Sequence, residues 1–262
     1  MSKNKSPLRY PGGKTRACKV LDSILREHFT PSSFDTVVSP FFGGGSFEFY
    51  LGNTFNYKIL ANDKFTPLYN FWLSCKHNNS KICLELTKLL DKIDKARFTA
   101  MRTDIMSTSD AFQQSILYFA INRCSFSGAT LSGGFSLESS KKRFTQSSID
   151  KIRNLDLKNF EITNLDFKEC IDAEYKEKCL LFLDPPYYLE KKSKLYGNNG
   201  DMHEYFDHNA LYDCVKNKKN WIMTYNNCEY IKELYKNFKI IETAWTYGMN
   251  ASKKSSEIVI IG

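Results

Sequence analysis

The chain has 262 residues, of which 42% are hydrophobic, 15% aromatic and 25% charged, a content that excludes a disordered or fibrous chain. A length of this order buries a full core and suits one large domain, or one domain carrying an insertion. With 37 Lys+Arg against 29 Asp+Glu the net charge is +8, which favours a polyanionic partner without identifying it.

In chain order, residues 1–5 are polar and lysine-rich with no apolar segment behind them, and no run approaches membrane-spanning length. The expectation is a soluble, intracellular protein with no targeting signal and no membrane partner. Gly12 and Gly13 precede a helix expected from Thr15. Short apolar runs at 36–40 and 58–62 flank a helix over 46–52 and together predict a β-α-β unit. From 67 to about 152 the apolar residues recur at helical spacing, as in Ile82, Leu86, Leu89, Leu90 and Ile93, then Ile116, Leu117, Phe119, Ala120 and Ile121. This region reads as a helical insertion. Between its last two helices, 123–144 is rich in Ser and Gly and closes with Lys141, Lys142 and Arg143, a composition that predicts an exposed loop. Strands are then expected at 160–164, 179–184, 221–225, 238–243 and 257–261, enough for a twisted, mostly parallel sheet. The irregular stretch 188–207 fits either a lid or plain disorder.

Eight cysteines scattered through so long a chain, several inside apolar runs, read as reduced core residues. No C-x-x-C pair occurs. His203 and His208 flank Glu204 but lack a third and fourth ligand nearby, so no metal is expected.

The most informative tetrapeptide is Asp184-Pro185-Pro186-Tyr187, which follows the apolar run 179–183. An acid at the carboxyl end of a buried strand sits where open α/β sheets bind ligands. The Asp184 carboxylate and the Pro185 carbonyl, its direction restricted by the Pro-Pro pair, can accept both hydrogens of a planar amino group. Tyr187 offers a flat face for stacking. An exocyclic amine of a nucleobase has its lone pair delocalised into the ring, and two acceptors that draw its hydrogens toward sp3 geometry localise that pair for attack. The same four residues would also serve as a Pro-rich turn capped by Asp.

After the first strand comes Phe41-Phe42-Gly43-Gly44-Gly45-Ser46, and Asp63 ends the next strand about twenty residues past the first glycine. Glycines there allow close backbone approach, and the acid can accept both ribose hydroxyls. Glu48 stands where a dinucleotide fingerprint has its last glycine, so a nucleoside without phosphates, such as S-adenosylmethionine, fits better than a pyrophosphate. Leu8-Arg9-Tyr10-Pro11-Gly12-Gly13-Lys14-Thr15 resembles half of a phosphate-binding loop but has no glycine at Leu8, which disfavours ATP. Lys14 could meet a carboxylate and Tyr10 a sulfonium; a plain glycine turn capping the following helix also fits. Asp166 and Phe167 follow a third strand and could bind an adenine edge and face.

Together these segments resemble the adenine-N6 DNA methyltransferases of the Dam type, the alpha group of the D12 class, over nearly the whole chain. The resemblance is carried by the blocks at 8–14, 40–46, 62–63, 122–128, 166–167 and 184–187 and by the terminal segment 252–261. It implies a Rossmann-like S-adenosylmethionine-dependent methyltransferase sheet, formed by 1–66 and 157–262, with a helical DNA-recognition insertion at 67–156. It implies cofactor contacts from Tyr10, Lys14, Phe42, Gly43, Gly44, Gly45, Asp63, Asp166, Phe167 and Asp184. Asp184, Pro185, Pro186 and Tyr187 would be catalytic. Arg123, Phe126, Ser127, Lys141, Lys142 and Arg143 would contact double-stranded DNA, with Phe126 as the wedge. One departure stands out: family members often carry an acid just before the Pro-Phe of the glycine block, where this chain has Ser39.

The expected reaction is methyl transfer to the N6 amino group of an adenine rotated out of a short specific duplex site, by a monomer or weak dimer, as in restriction-modification systems. Transfer to the cytosine N4 amine demands similar geometry and remains a rival. A non-catalytic DNA-binding protein of the same fold is another.

Overall fold

The computed structural model describes residues 4–188, 206–246 and 254–262. The lid expected at 188–207 falls almost wholly outside them, as do His203, Glu204 and the start of the terminal segment. The chain forms two compact units. Among the described residues one comprises 4–11 and 65–158, and the other 12–64, 159–188, 206–246 and 254–262. The amino-terminal residues up to Pro11 thus cluster with the helical insertion and not with the sheet.

The sheet unit has seven strands in the order β3-β2-β1-β4-β5-β7-β6. They are β1 (Thr36–Ser39), β2 (Lys58–Asn62), β3 (Phe160–Thr163), β4 (Cys179–Leu183), β5 (Trp221–Asn226), β6 (Lys239–Thr246) and β7 (Lys254–Ile261). The pairs among β1 to β5 are parallel, while β7 runs antiparallel to both β5 and β6. All five residues of β4 are buried, as a central parallel strand covered on both faces requires. This is the mostly parallel sheet that the alternation of elements predicted, and the mixed α/β, Rossmann-like sheet that the resemblance implied.

Helices α1 (Cys18–His28), α2 (Ser46–Phe55), α9 (Phe167–Glu174), α10 (His208–Val215) and α11 (Glu229–Leu234) belong to the same unit. α2 begins at Gly45, whose φ is +65° and whose added Cβ would lie 2.5 Å from the Phe42 ring. Only glycine fits there. Asn62, fully buried, fastens the strand ends: its amide donates to the carbonyls of Pro40 (3.1 Å) and Leu165 (3.0 Å), and its oxygen accepts from Thr163 Oγ1 (2.9 Å) and Leu165 N (2.8 Å).

The helical unit contains α3 (Thr66–His77), α4 (Asn79–Lys88), α5 (Lys95–Ser107), α6 (Ala111–Cys124), α7 (Leu137–Arg143) and α8 (Gln146–Arg153). α6 is buried from Gln114 to Cys124 and packs against α3, α5 and α7, with Phe71 and Phe119 stacked at 5.6 Å. α7 was not expected. Ser136 caps it by accepting from the Ser139 amide, and Lys141, Lys142 and Arg143 fill its last turn, where cations favour the carbonyl end of the helix dipole. The basic triplet therefore ends a helix and does not close a loop.

One buried polar pair links β1 to α2. Ser39 Oγ donates to Glu48 Oε1 at 2.6 Å, and both residues are buried. Burial pushes the Glu48 carboxyl from 4.5 up to about 8, against the hydrogen bond from Ser39. The folded protein therefore holds this proton across a pH range in which the unfolded chain has released it. The resulting stabilisation is complete below about pH 4.5 and is lost as pH rises through about 8. Thermal denaturation from pH 5 to 9 should show Tm falling more steeply in the native protein than in Glu48→Gln, which has no proton to lose. Parallel curves would show that Glu48 is ionised in the fold.

Candidate active site

The parallel strands of the sheet unit end at one edge, and the polar residues singled out in the sequence follow directly: Ser39 closes β1, Asp63 follows β2, Asp184 follows β4 and Thr224 lies in β5. Asp184 is the meeting point. Lys14 Nζ donates to Asp184 Oδ1 at 2.7 Å and Oδ2 at 2.8 Å, and Thr224 Oγ1 donates to Oδ1 at 2.6 Å. The lysine is 3% exposed and gives its third hydrogen to the Gly12 carbonyl at 2.9 Å. Its ammonium also lies 5.1 Å from the centre of the Tyr187 ring.

Tyr187 is half-buried and donates its hydroxyl to Glu257 Oε2 at 2.6 Å. Its ring lies 6.0 Å from that of Tyr225, whose hydroxyl shares a 2.7 Å hydrogen bond with His208 Nδ1. Pro185 is buried and Pro186 half-buried.

In the glycine block, the Gly43 amide donates to Asp63 Oδ2 at 2.9 Å. Phe42 turns into the core against Phe49 and Phe160, both 6.1 Å away between ring centres. Its neighbour Phe41 instead joins Phe167 (5.6 Å) and Phe206 (5.6 Å) in an aromatic group at the strand ends, with Phe167 and Phe206 5.4 Å apart. Asp166 caps α9 by accepting from the Lys168 amide and pairs with Lys64 at 2.8 Å. Partial burial alone would raise its pKa, but the bonds from Lys64 and Lys168 leave it below the ordinary carboxylate value.

The helical unit gathers two further sequence blocks. Asn122 accepts from the Arg9 amide at 3.1 Å and donates to the Arg9 carbonyl at 2.7 Å, to Gly128 O at 3.2 Å and to Thr130 Oγ1 at 3.0 Å. A Cβ on Gly128, where φ is +72°, would lie 2.7 Å from both Arg9 Cβ and the Arg9 carbonyl oxygen. Arg123 is 7% exposed and donates to the carbonyls of Arg143 (2.8 Å) and Pro7 (3.3 Å). Its guanidinium is engaged internally and braces the loop, and burial lowers its pKa to about 10. Phe126, by contrast, is 68% exposed, and Lys141, Lys142 and Arg143 lie on the surface. Tyr10 is half-buried in this unit, and the Ser127 side chain lies outside the described residues.

Sequence reasoning missed Thr224, Glu257, Phe206, Glu48 and Arg9. Arg9 is a cation whose pKa falls through burial and through the nearby Arg143 charge. Glu48 is identified by a contact nine residues away and the others by contacts that span tens of residues. Among the described residues no three His, Cys, Asp or Glu side chains are grouped to hold a metal, and no helix is long and apolar enough to cross a membrane. All eight cysteines are free thiols, six of them buried.

Two comparisons bear on this arrangement. The chain is 23% identical over 198 residues to the Type II methyltransferase M.MjaIII of Methanocaldococcus jannaschii, covering 69% of this chain and 68% of that protein. The family model described as D12 class N6 adenine-specific DNA methyltransferase matches residues 10–249, so nearly every strand and every group around Asp184 except Glu257 lies inside the match. The chain belongs to the D12 class of N6 adenine-specific DNA methyltransferases, and is an enzyme that methylates adenine in DNA.

Proposed function

We propose that this protein transfers the methyl group of S-adenosylmethionine to the N6 amine of an adenine extruded from a specific site in double-stranded DNA. The residues at the sheet edge suit that cofactor. Asp63, Asp166 and Asp184 offer acceptors for a hydroxylated, cationic nucleoside and would repel phosphates. The Gly43 amide, which in a phosphate-binding loop would face the ligand, is turned to Asp63 instead. Asp63 would hold ribose hydroxyls, the group of Phe41, Phe167 and Phe206 would pack on the adenine, and Lys14 would meet the carboxylate. When bound, the cofactor supplies an electrophilic methyl on a sulfonium.

The observation that carries the reading is the ammonium at Asp184. A carboxylate and an aromatic face already hold a tetrahedral, positively charged nitrogen in common, through the 2.7 and 2.8 Å bonds and the 5.1 Å ring contact of Lys14. An adenine N6 moving from planar to tetrahedral as it gains a methyl develops the same shape and charge, so the same two groups suit it. Asp184 keeps lone pairs on Oδ2 for a second donor, and the Pro185 carbonyl would take the other hydrogen. Tyr187 would stack on the base. An amino group inside a duplex cannot reach these acceptors, which is why extrusion belongs to the reading.

On the helical unit, exposed Phe126 suits a wedge for the duplex, and Lys141, Lys142 and Arg143 suit phosphate contacts. Arg9, near Arg143, joins them because an anion between two like charges relieves their repulsion.

Asp184→Ala should lower methyl transfer by a thousandfold or more, a loss well beyond any fall in cofactor affinity read by calorimetry. Full activity in this variant would remove Asp184 from the mechanism. Phe126→Ala should reduce the fluorescence rise of 2-aminopurine placed at the target position while leaving cofactor binding intact. Lys141→Ala should weaken binding uniformly across DNA sequences and reduce the slope of log K against log salt by about 1. A slope unchanged from the native value would place Lys141 away from the phosphates.

A further inference from the structure

The carboxylate of Glu257 is 1% exposed on a strand whose next residues are the buried Ile258, Val259 and Ile260. A polar side chain at such a position costs stability unless a hydrogen-bond partner compensates it. Tyr187 is that donor, 70 residues away in sequence and 2.6 Å away in space. A bond this short fixes the ring as well as the oxygen.

Tyr187 needs such a fixture. It follows β4 in a segment without regular structure, so no strand or helix ladder sets its side-chain torsions. Glu257 has the opposite character. Its backbone is registered against Asn226 of β5 on one side and Thr243 of β6 on the other, in the middle of the antiparallel half of the sheet. The rigid strand thereby dictates the angle of a ring that stands on a loop. Tyr225, 6.0 Å away and itself tied to His208, supports the ring from within the sheet unit.

We propose that Glu257 is a positioning residue for methyl transfer: through the Tyr187 hydroxyl it sets the plane on which the extruded adenine stacks, and hence the direction in which N6 points. The proposal rests on the reading of Tyr187 as the stacking face.

The test uses the full chain and five variants: Glu257→Ala, Glu257→Gln, Tyr187→Phe, Tyr187→Ala and the Tyr187→Phe, Glu257→Ala double variant. Steady-state methylation of a duplex oligonucleotide gives kcat and KM, 2-aminopurine fluorescence reports stacking of the extruded base, and calorimetry gives cofactor affinity. Glu257→Ala should lower kcat by tenfold to a hundredfold, alter the fluorescence of the extruded base, and leave cofactor affinity within twofold. Glu257→Gln, which keeps an acceptor in place, should recover kcat to within a few-fold. Tyr187→Phe should reproduce the loss, and adding Glu257→Ala to it should cost less than twofold more.

The proposal is overturned if Tyr187→Phe keeps full kcat, or if Glu257→Ala lowers kcat equally with and without the hydroxyl. Tyr187→Ala separates this proposal from its parent. Should that variant be inactive while Tyr187→Phe and Glu257→Ala are fully active, the ring matters and its anchor does not. Should Tyr187→Ala itself retain full activity, the stacking role fails and the positioning role with it.

Discussion

The ion pair between Lys14 and Asp184 is the interaction on which the sheet edge turns. It joins the amino-terminal glycine turn to the end of β4 across 170 positions of sequence. Removing one partner of such a pair leaves an uncompensated charge in a largely buried place, at a cost of about 3–5 kcal/mol. Thr224 adds a bond from β5 to the same carboxylate, so three separate segments fix where Asp184 points. A catalytic acceptor gains from that rigidity, because reorganising it during the reaction would cost the energy it is meant to supply. The ammonium that fixes Asp184 also competes for it. On the proposed reading, a cofactor carboxylate at Lys14 would leave Asp184 a stronger acceptor, and the same lysine would link cofactor binding to readiness for the base.

A second carboxyl stands close to this pair. Ser39 occupies the position where relatives often carry an acid, and from the sequence it reads as a contact altered or lost. In the fold its hydroxyl is bonded to Glu48, which enters from α2. Glu48 is the residue that interrupts the dinucleotide fingerprint, so one pair of positions accounts for both irregularities of the glycine block. The Asp184 charge raises the Glu48 pKa further and Lys14 opposes that, which places Glu48 in the electrostatic field of the Lys14–Asp184 pair. A neutral Glu48 leaves Lys14 and Asp184 balanced one against one. An ionised Glu48 would make the lysine serve two anions.

The sheet was readable because buried parallel strands are continuous apolar runs, and all seven expected strands form within a few residues of their anticipated ends. α7 was not readable, since Ser and Gly around it are loop formers and its start depends on one serine cap. The acids were readable by place more than by task. Asp166 lies at its strand end as expected, yet much of its hydrogen-bonding capacity serves the cap of α9 and Lys64. Phe42 was picked over Phe41, but alternation after β1 sends Phe42 into the core and Phe41 to the aromatic group with Phe206. Partners such as Glu257 lie in strands whose pattern calls for apolar residues, and no local spacing reveals what a buried acid there is bonded to.

Arg123 shows how a basic side chain can serve the fold. A guanidinium is expensive to bury, yet here it donates to the carbonyls of Pro7, in the amino-terminal segment, and of Arg143, at the end of α7. With Asn122 held to Arg9, Gly128 and Thr130, it turns the residues between α6 and α7 into a fixed support. The bland composition of this loop thus conceals a rigid base, and Phe126 projects from it with two thirds of its surface exposed. The wedge proposed at Phe126 would need that base, because a flexible loop would yield before the duplex does.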